Sequence, residues 1–345
     1  MRQILFKFFI LIRFLLKKIY KPFYYLYSII YIKLFIYFNK IDKNKYILFT
    51  HASTADTFAI ASLIDVFCEN YGEVVLIISE AHIETFRIYC KSKKISYIVL
   101  TEKKCIQFRS YIYEDAKYQN NILKKGIIKP LHSVFYKNIP DLYKKGVINY
   151  RDALTWVMNL DKSLHFKFPE FNDKDHENAE NIFININNLK KVILINPICY
   201  THTGLPNNLW DDIAEAFIKK GFTVVFNLMK NSNDLNTYEF SNKFPIVYIP
   251  AYLIPLVSQK IAYTCARWGG GFDLAHSFNA KSKCILITLL DTISCERGRQ
   301  EDPNLNITKD LFINFCNKEV FKILALNELK MNNYLEEQIN SIENV

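Results

Sequence analysis

The sequence predicts an α/β protein of two Rossmann-like, doubly wound domains that face a cleft, preceded by an amphipathic N-terminal helical membrane arm. Three observations predict it. Short apolar runs alternate with helically spaced stretches from Lys45 onward. The alternation lapses over residues 106–180 and resumes at Lys191. The first 45 residues carry ten basic side chains against one acid, Asp42, and so hold nearly all of the formal net charge of +10. The expected boundaries are 1–44 for the arm, 45–170 for the first domain, 171–189 for a linker and 190–345 for a second domain ending in helices.

In the arm, residues 3–21 are mostly Leu, Ile and Phe. At 100° per residue, Arg2, Lys7, Arg13, Lys17, Lys18 and Lys21 fall within an arc of about 160°, which leaves the opposite side apolar. That is the pattern of a helix lying in a membrane interface. Pro22 breaks or restarts it, and Phe23–Phe38 follows, Tyr-rich and interrupted by Lys33. A span needs roughly 20 apolar residues, more than this segment offers. No small-residue cleavage site follows either apolar run, so export is not expected. The expected partner of residues 1–40 is a membrane surface, and the expected location is the cytoplasmic face of the inner membrane. A transmembrane anchor and a plain helix pair packed on the domain remain as alternatives.

Three strands are expected at Lys45–Thr50, Glu73–Ser79 and Ile95–Leu100, with helices over Asp56–Glu69 and His82–Ser92 between them. Alternation of this kind makes a parallel sheet with crossover helices. Residues 106–180 read as helices and loops, and the acidic, Asn-rich stretch Asn172–Asn188 as the weakest-ordered part of the interior and an interdomain helix or linker. Beyond it come a strand at Lys191–Pro197, a helix over Asn207–Lys220 stopped by Gly221, and a strand at Phe222–Leu228. A helix over Ala251–Lys260 and strands at Ile261–Ala266 and Cys284–Thr288 complete the set.

Composition narrows the function. Half of the residues are hydrophobic, ample for a core in each domain. A nucleic-acid-binding chain would spread its basic charge over the folded domains; here it sits with a hydrophobic arm, which points to anionic lipid. The eight cysteines show no CxxC or Cys/His ligand spacing, so neither disulfides nor structural zinc are expected.

In open α/β sheets ligands bind beyond the carboxyl ends of strands, which directs attention to three loops. His51–Thr57 (HASTADT) joins the first strand to the first helix; Asp56 there can take the proton of an attacking hydroxyl, with His51, Ser53 and Thr54 on the acceptor side. The competing reading is that Asp56, Ser53 or Thr54 only caps the helix. Asn196–Trp210 (NPICYTHTGLPNNLW) leads into a helix start, where backbone N–H groups, with Thr201, His202, Thr203 and Gly204, suit a diphosphate. Arg267–His276 (RWGGGFDLAH) gathers three of the chain's nine glycines. Gly269, Gly270 and Gly271 let backbone amides approach a ligand, Arg267 supplies charge, and Asp273 accepts from a sugar or ribose hydroxyl. A structural tight turn is the alternative. The spacing is not GxGxxG, so no dinucleotide site is indicated.

Together these segments resemble the bacterial lipopolysaccharide heptosyltransferase family and its relatives in surface-polysaccharide clusters, over roughly residues 46–100 and 190–290. Ser53–Asp56 look like the family's turn after the first strand, with Ala55 in place of its Gly. Arg267–Asp273 look like its late Gly-rich donor loop, with Trp268 near the acidic position and Asp273 near the His position. Thr203, Gly204 and Leu205 stand where a Lys precedes the donor-domain helix. The resemblance implies a metal-independent, inverting glycosyltransferase with a GT-B-like fold. Asp56 is then the base, and Arg267, the Gly269–Gly271 amides and the 201–204 loop hold the leaving nucleoside diphosphate. The nucleotide-sugar is a substrate, no cofactor or metal is called for, and the acceptor is a glycan or lipid-linked glycan of lipopolysaccharide or capsule, with no nucleic acid involved. A polysaccharide pyruvyl transferase or sugar-nucleotide epimerase on a similar fold, and a non-catalytic membrane-tethered assembly protein, stand as alternatives.

Overall fold

The computed structural model describes residues 26–51, 54–116, 123–132, 136, 150–161, 163–164, 167–197, 207–228, 243–267, 284–289 and 321–326. Residues 26–38 form helix α1. The first sheet takes its strands from β1 (Tyr46–Phe49), β2 (Val74–Ser79), β3 (Ile95–Leu100) and β4 (Ile128–Pro130). Helices α2 (Thr54–Tyr71), α3 (Ile83–Tyr89) and α4 (Glu102–Ala116) lie between them in sequence. Strand order is β3-β2-β1-β4, with every pairing parallel.

Side-chain alternation sorts the two faces of this sheet. Leu48, Leu76 and Ile78 pack with Phe58, Leu63 and Phe67 of α2 and Phe86 of α3. Ile47, Phe49, Val75 and Ile77 pack instead with Ile32 and Ile36 of α1 and Phe108 and Ile112 of α4. Both faces are therefore covered, which explains why β1 and β2 read as unbroken apolar runs. Helix α1, expected as part of the arm, is also a layer of this first unit. Strand β4 lies inside the stretch read as strandless, and its three residues are too few to show a period. Gly126 leads into it at φ +75°, where a Cβ would come within 2.9 Å of the Lys43 carbonyl oxygen. Only glycine suits that conformation and that approach.

Helices α5 (Tyr150–Val157) and α6 (Asp173–Asn181) follow. The Asn172–Asn188 stretch, expected to be the weakest-ordered part of the interior and an interdomain helix or linker, holds helix α6 behind a complete capping box. The Asn172 side chain accepts from the Asp175 backbone N–H, and the Asp175 carboxylate accepts from that of Asn172. Two orphan donors are satisfied reciprocally, while Ala179 and Phe183 anchor the segment in the core.

The second sheet comprises β5 (Val192–Asn196), β6 (Thr223–Asn227), β7 (Ile246–Val247), β8 (Tyr263–Arg267), β9 (Cys284–Leu289) and β10 (Phe321–Leu326). Its order, β10-β9-β8-β5-β6-β7, is all parallel and doubly wound. Helix α7 (Asn207–Lys219) sets Trp210, Ile213 and Phe217 against Ile193, Ile195 and Phe226. It ends just before Gly221 at φ +81°, the left-handed residue that stops a helix. Helix α8 (Ile254–Lys260) packs on the other face with Leu194 and Val225. Strands β7 and β10 were not expected, and β10 lies where the sequence suggested terminal helices. A two-residue edge strand gives no periodic signal, and the run FKILAL fits a buried helix as well as a strand.

Candidate functional site

Both sheets change winding direction at one place, and in such sheets the crevice between the two diverging strands receives the ligand. In the first sheet that place lies between β1 and β4. Asp56, in the first turn of α2 just past β1, accepts a hydrogen bond from or shares a proton with His132, two residues past β4, at 3.0 Å between Oδ2 and Nε2. The Asp56 side chain is 24% exposed and that of His132 14%. The carboxylate is thus shielded, yet still reachable.

His51, which directly follows Thr50 at the end of β1, is buried with its Nε2 2.7 Å from Glu102 Oε1. Ser79, the last residue of β2, donates its hydroxyl to Glu102 Oε2 at 2.6 Å. Glu102 opens α4 just beyond β3. One carboxylate therefore ties together the carboxyl ends of three adjacent strands. Burial opposes its ionisation, but the hydrogen bonds from Ser79 and His51 and the neighbouring imidazoles outweigh that effect and hold it below the ordinary carboxylate range. His51 Nδ1 is left buried without a hydrogen-bond partner among the described residues.

Lys129 on β4 is 3% exposed and pairs in register with Leu48. Its ammonium lies 5.7 Å from the centre of the Tyr136 ring. Burial brings its pKa down to about 8. Neither Lys129 nor His132 was expected from sequence. His132 follows a three-residue strand and stands 76 residues from Asp56, so no motif spacing announces it.

In the second sheet the change of winding lies between β5 and β8, whose last paired residues are Asn196 and Ala266. Arg267 is the final residue of β8. Asn196 is 4% exposed, and its Oδ1 accepts from Asn227 Nδ2 at 2.7 Å. Asn227 Oδ1 accepts in turn from the Ile249 backbone N–H. This relay fixes the Asn196 amide and leaves its Nδ2 without an acceptor among the described residues. Trp210 Nε1, in the early part of α7, is likewise buried and has no hydrogen-bond partner among the described residues. Buried donors of this kind ordinarily have a partner, and these two bracket the loop that the sequence assigns to a diphosphate.

Of the expected site residues, the structure brings Asp56 to the β1–β4 crevice and His51 to the neighbouring network, and puts the backbone of Arg267 at the end of β8. Thr54 begins α2. Ser53, Thr201, His202, Thr203, Gly204, Gly269, Gly270, Gly271 and Asp273 lie outside the described residues. Among the described residues no group of three or more His, Cys, Asp or Glu side chains is arranged to hold a metal ion.

ADP-heptose lipopolysaccharide heptosyltransferase II of E. coli superposes with a TM-score of 0.54 at 8% identity, over 86% of this chain and 98% of that one. The chain has the heptosyltransferase fold. A family 9 glycosyl transferase of Veillonella parvula DSM 2008 superposes equally well, with a TM-score of 0.54 at 12% identity, covering 88% of this chain and 97% of the other. No family model and no curated relative matches the sequence. The heptosyltransferase fold therefore spans both sheets at a sequence distance where few side chains coincide.

Proposed function

We propose that this protein is a glycosyltransferase that moves a sugar from a nucleotide-sugar donor to a glycan or lipid-linked acceptor of a bacterial surface polysaccharide, at the cytoplasmic face of the inner membrane. The observation that carries the reading is the Asp56–His132 pair at the β1–β4 crevice of a heptosyltransferase fold. A glycosyl transfer needs a base for the incoming hydroxyl and a seat for the departing diphosphate; the Asp56–His132 pair supports the first, and the change of winding between β5 and β8 supports the second.

In the proposed reaction the acceptor hydroxyl donates to Asp56. As its oxygen attacks the anomeric carbon, the proton passes to the carboxylate and the bond to the diphosphate oxygen breaks, inverting the anomeric centre. His132 orients Asp56 through its Nε2 contact with Oδ2. Arg267, the Gly269–Gly271 amides and the Thr201–Gly204 loop neutralise the leaving diphosphate, so that no metal is required. The buried amide of Asn196, paired in register with Ala266 where the second sheet changes its winding, supports that reading.

The test is release of nucleoside diphosphate from a panel of nucleotide-sugars, with and without lipid-linked glycan extracted from the bacterial membrane. Acceptor-dependent release by the wild type, abolished in Asp56→Asn, supports the reading. Acceptor-dependent release that survives Asp56→Asn refutes the assignment of the base. Pyruvate incorporation in place of sugar transfer would overturn the reaction class.

A further inference from the structure

Helix α1 has an outward face that a surface helix in water should not have. Its inward side buries Ser28, Ile32 and Ile36, the last two packed on the first sheet. Tyr31 and Phe35 extend that contact through ring contacts with Phe108 of α4. At 100° per residue, Leu26, Ile30, Leu34, Tyr37 and Phe38 fall on the other side, within an arc of about 120°. They are 46–74% exposed, with Tyr37 at 74% and Phe38 at 72%. Tyr27, at the margin of this face, sets its ring edge-on to Tyr111 of α4. Single exposed apolar side chains are ordinary; five aligned along about 20 Å of helix are not.

The charge around this stripe is one-sided. Lys33 lies at its edge, and Lys40 and Lys43 follow the helix, all exposed, with Asp42 as the one acid nearby. The 25 residues that precede α1 add six Lys or Arg and no acid. No described helix is long and apolar enough to cross a membrane. An apolar stripe flanked by lysines fits the headgroup boundary of an anionic leaflet, where the rings and aliphatic chains enter the acyl region and the ammonium groups meet lipid phosphates.

We infer that the outward face of α1 is a docking surface for an anionic lipid bilayer, lying in the plane of the membrane with Ile30, Leu34, Tyr37 and Phe38 as its inserted residues. The inference rests on the proposed lipid-linked acceptor for its purpose, though not for its geometry. Because α1 also packs on β1 through its inward side, docking would fix the first sheet, and Asp56 with it, at a set height above the leaflet. That suits an acceptor whose lipid end stays in the bilayer.

The experiment uses the full chain with phosphatidylcholine vesicles prepared with and without phosphatidylglycerol. The comparison is with a variant carrying Ile30→Ser, Leu34→Ser and Phe38→Ser together, and melting temperature, sedimentation coefficient and nucleotide-induced stabilisation are measured alongside. We expect the wild type to bind the phosphatidylglycerol vesicles and the variant to bind about tenfold less or weaker, with unchanged melting temperature. Equal binding by both proteins overturns the surface. Absence of wild-type binding with nucleotide stabilisation intact overturns it while leaving the catalytic reading standing; the reverse pattern leaves the surface standing and removes the catalytic reading. A wild-type dimer in the absence of lipid that becomes a monomer in the variant would assign the stripe to a second copy instead.

Discussion

Asp56 and His132 meet at 3.0 Å across the point where the first sheet reverses its winding, one residue held by the start of α2 and the other by the end of β4. Neither element alone makes the pair: it exists because β4 crosses back to lie beside β1.

If Asp56 is the base, Asp56→Asn should lower kcat by about 10²- to 10⁴-fold, the usual worth of a positioned general base. KM for the donor should change little. His132→Asn should cost less, at most about 10²-fold, because it acts by orienting Asp56. Steady-state kinetics on both variants check the order of effects.

Lys129 gives a stability signature in base. Its folded pKa is depressed to about 8, below the unfolded value of about 10.4. Between those pH values the unfolded chain binds more protons, so this group makes stability rise with pH from about 8 to about 10.4. Lys129→Met should remove that rise. Urea unfolding across that range measures it.

Glu102 gives the opposite limb. Its folded pKa is lowered, so its contribution is complete above the unfolded value of about 4.3 and is lost as pH falls through the folded one. Glu102→Gln should lower stability at neutral pH and flatten the acid limb of a melting-temperature profile.

Arg87 joins the two halves of the chain. From α3 it reaches the buried Asp175 carboxylate of α6 at 2.7 Å, and its guanidinium lies 5.6 Å from the Tyr252 ring centre in the turn before α8. Arg87→Ala should cost about 1.5–3 kcal/mol, the usual worth of a hydrogen bond to a charged group. Arg87→Lys should recover only part of it, since the planar fork is lost. Chemical denaturation of the three proteins decides.

The elements legible in the sequence were those with a continuous or periodic apolar signal. KYILFT and EVVLIIS announced β1 and β2 because both faces of those strands are buried, and Gly221 marked the end of α7 because the left-handed residue there needs it. The strands that escaped, β4 with its Lys129 and Pro130 and β7 with two residues, are set by tertiary pairing rather than by pattern. The same distinction governs the site. Asp56 stands in the first turn of an evident helix that follows an evident strand, so its place beyond β1 could be read. His132 and Glu102 acquire their partners only when β4 and β3 take their places beside β1 and β2, and no local signal encodes that.

A nucleotide-sugar site served by the second sheet is tested most directly by thermal stabilisation of the full chain with a panel of nucleoside diphosphates, run in parallel on Arg267→Ala. A selective rise in melting temperature for one nucleotide, lost in the variant, is expected. A folded wild type that responds to none of them, or a response unchanged in Arg267→Ala, would contradict it.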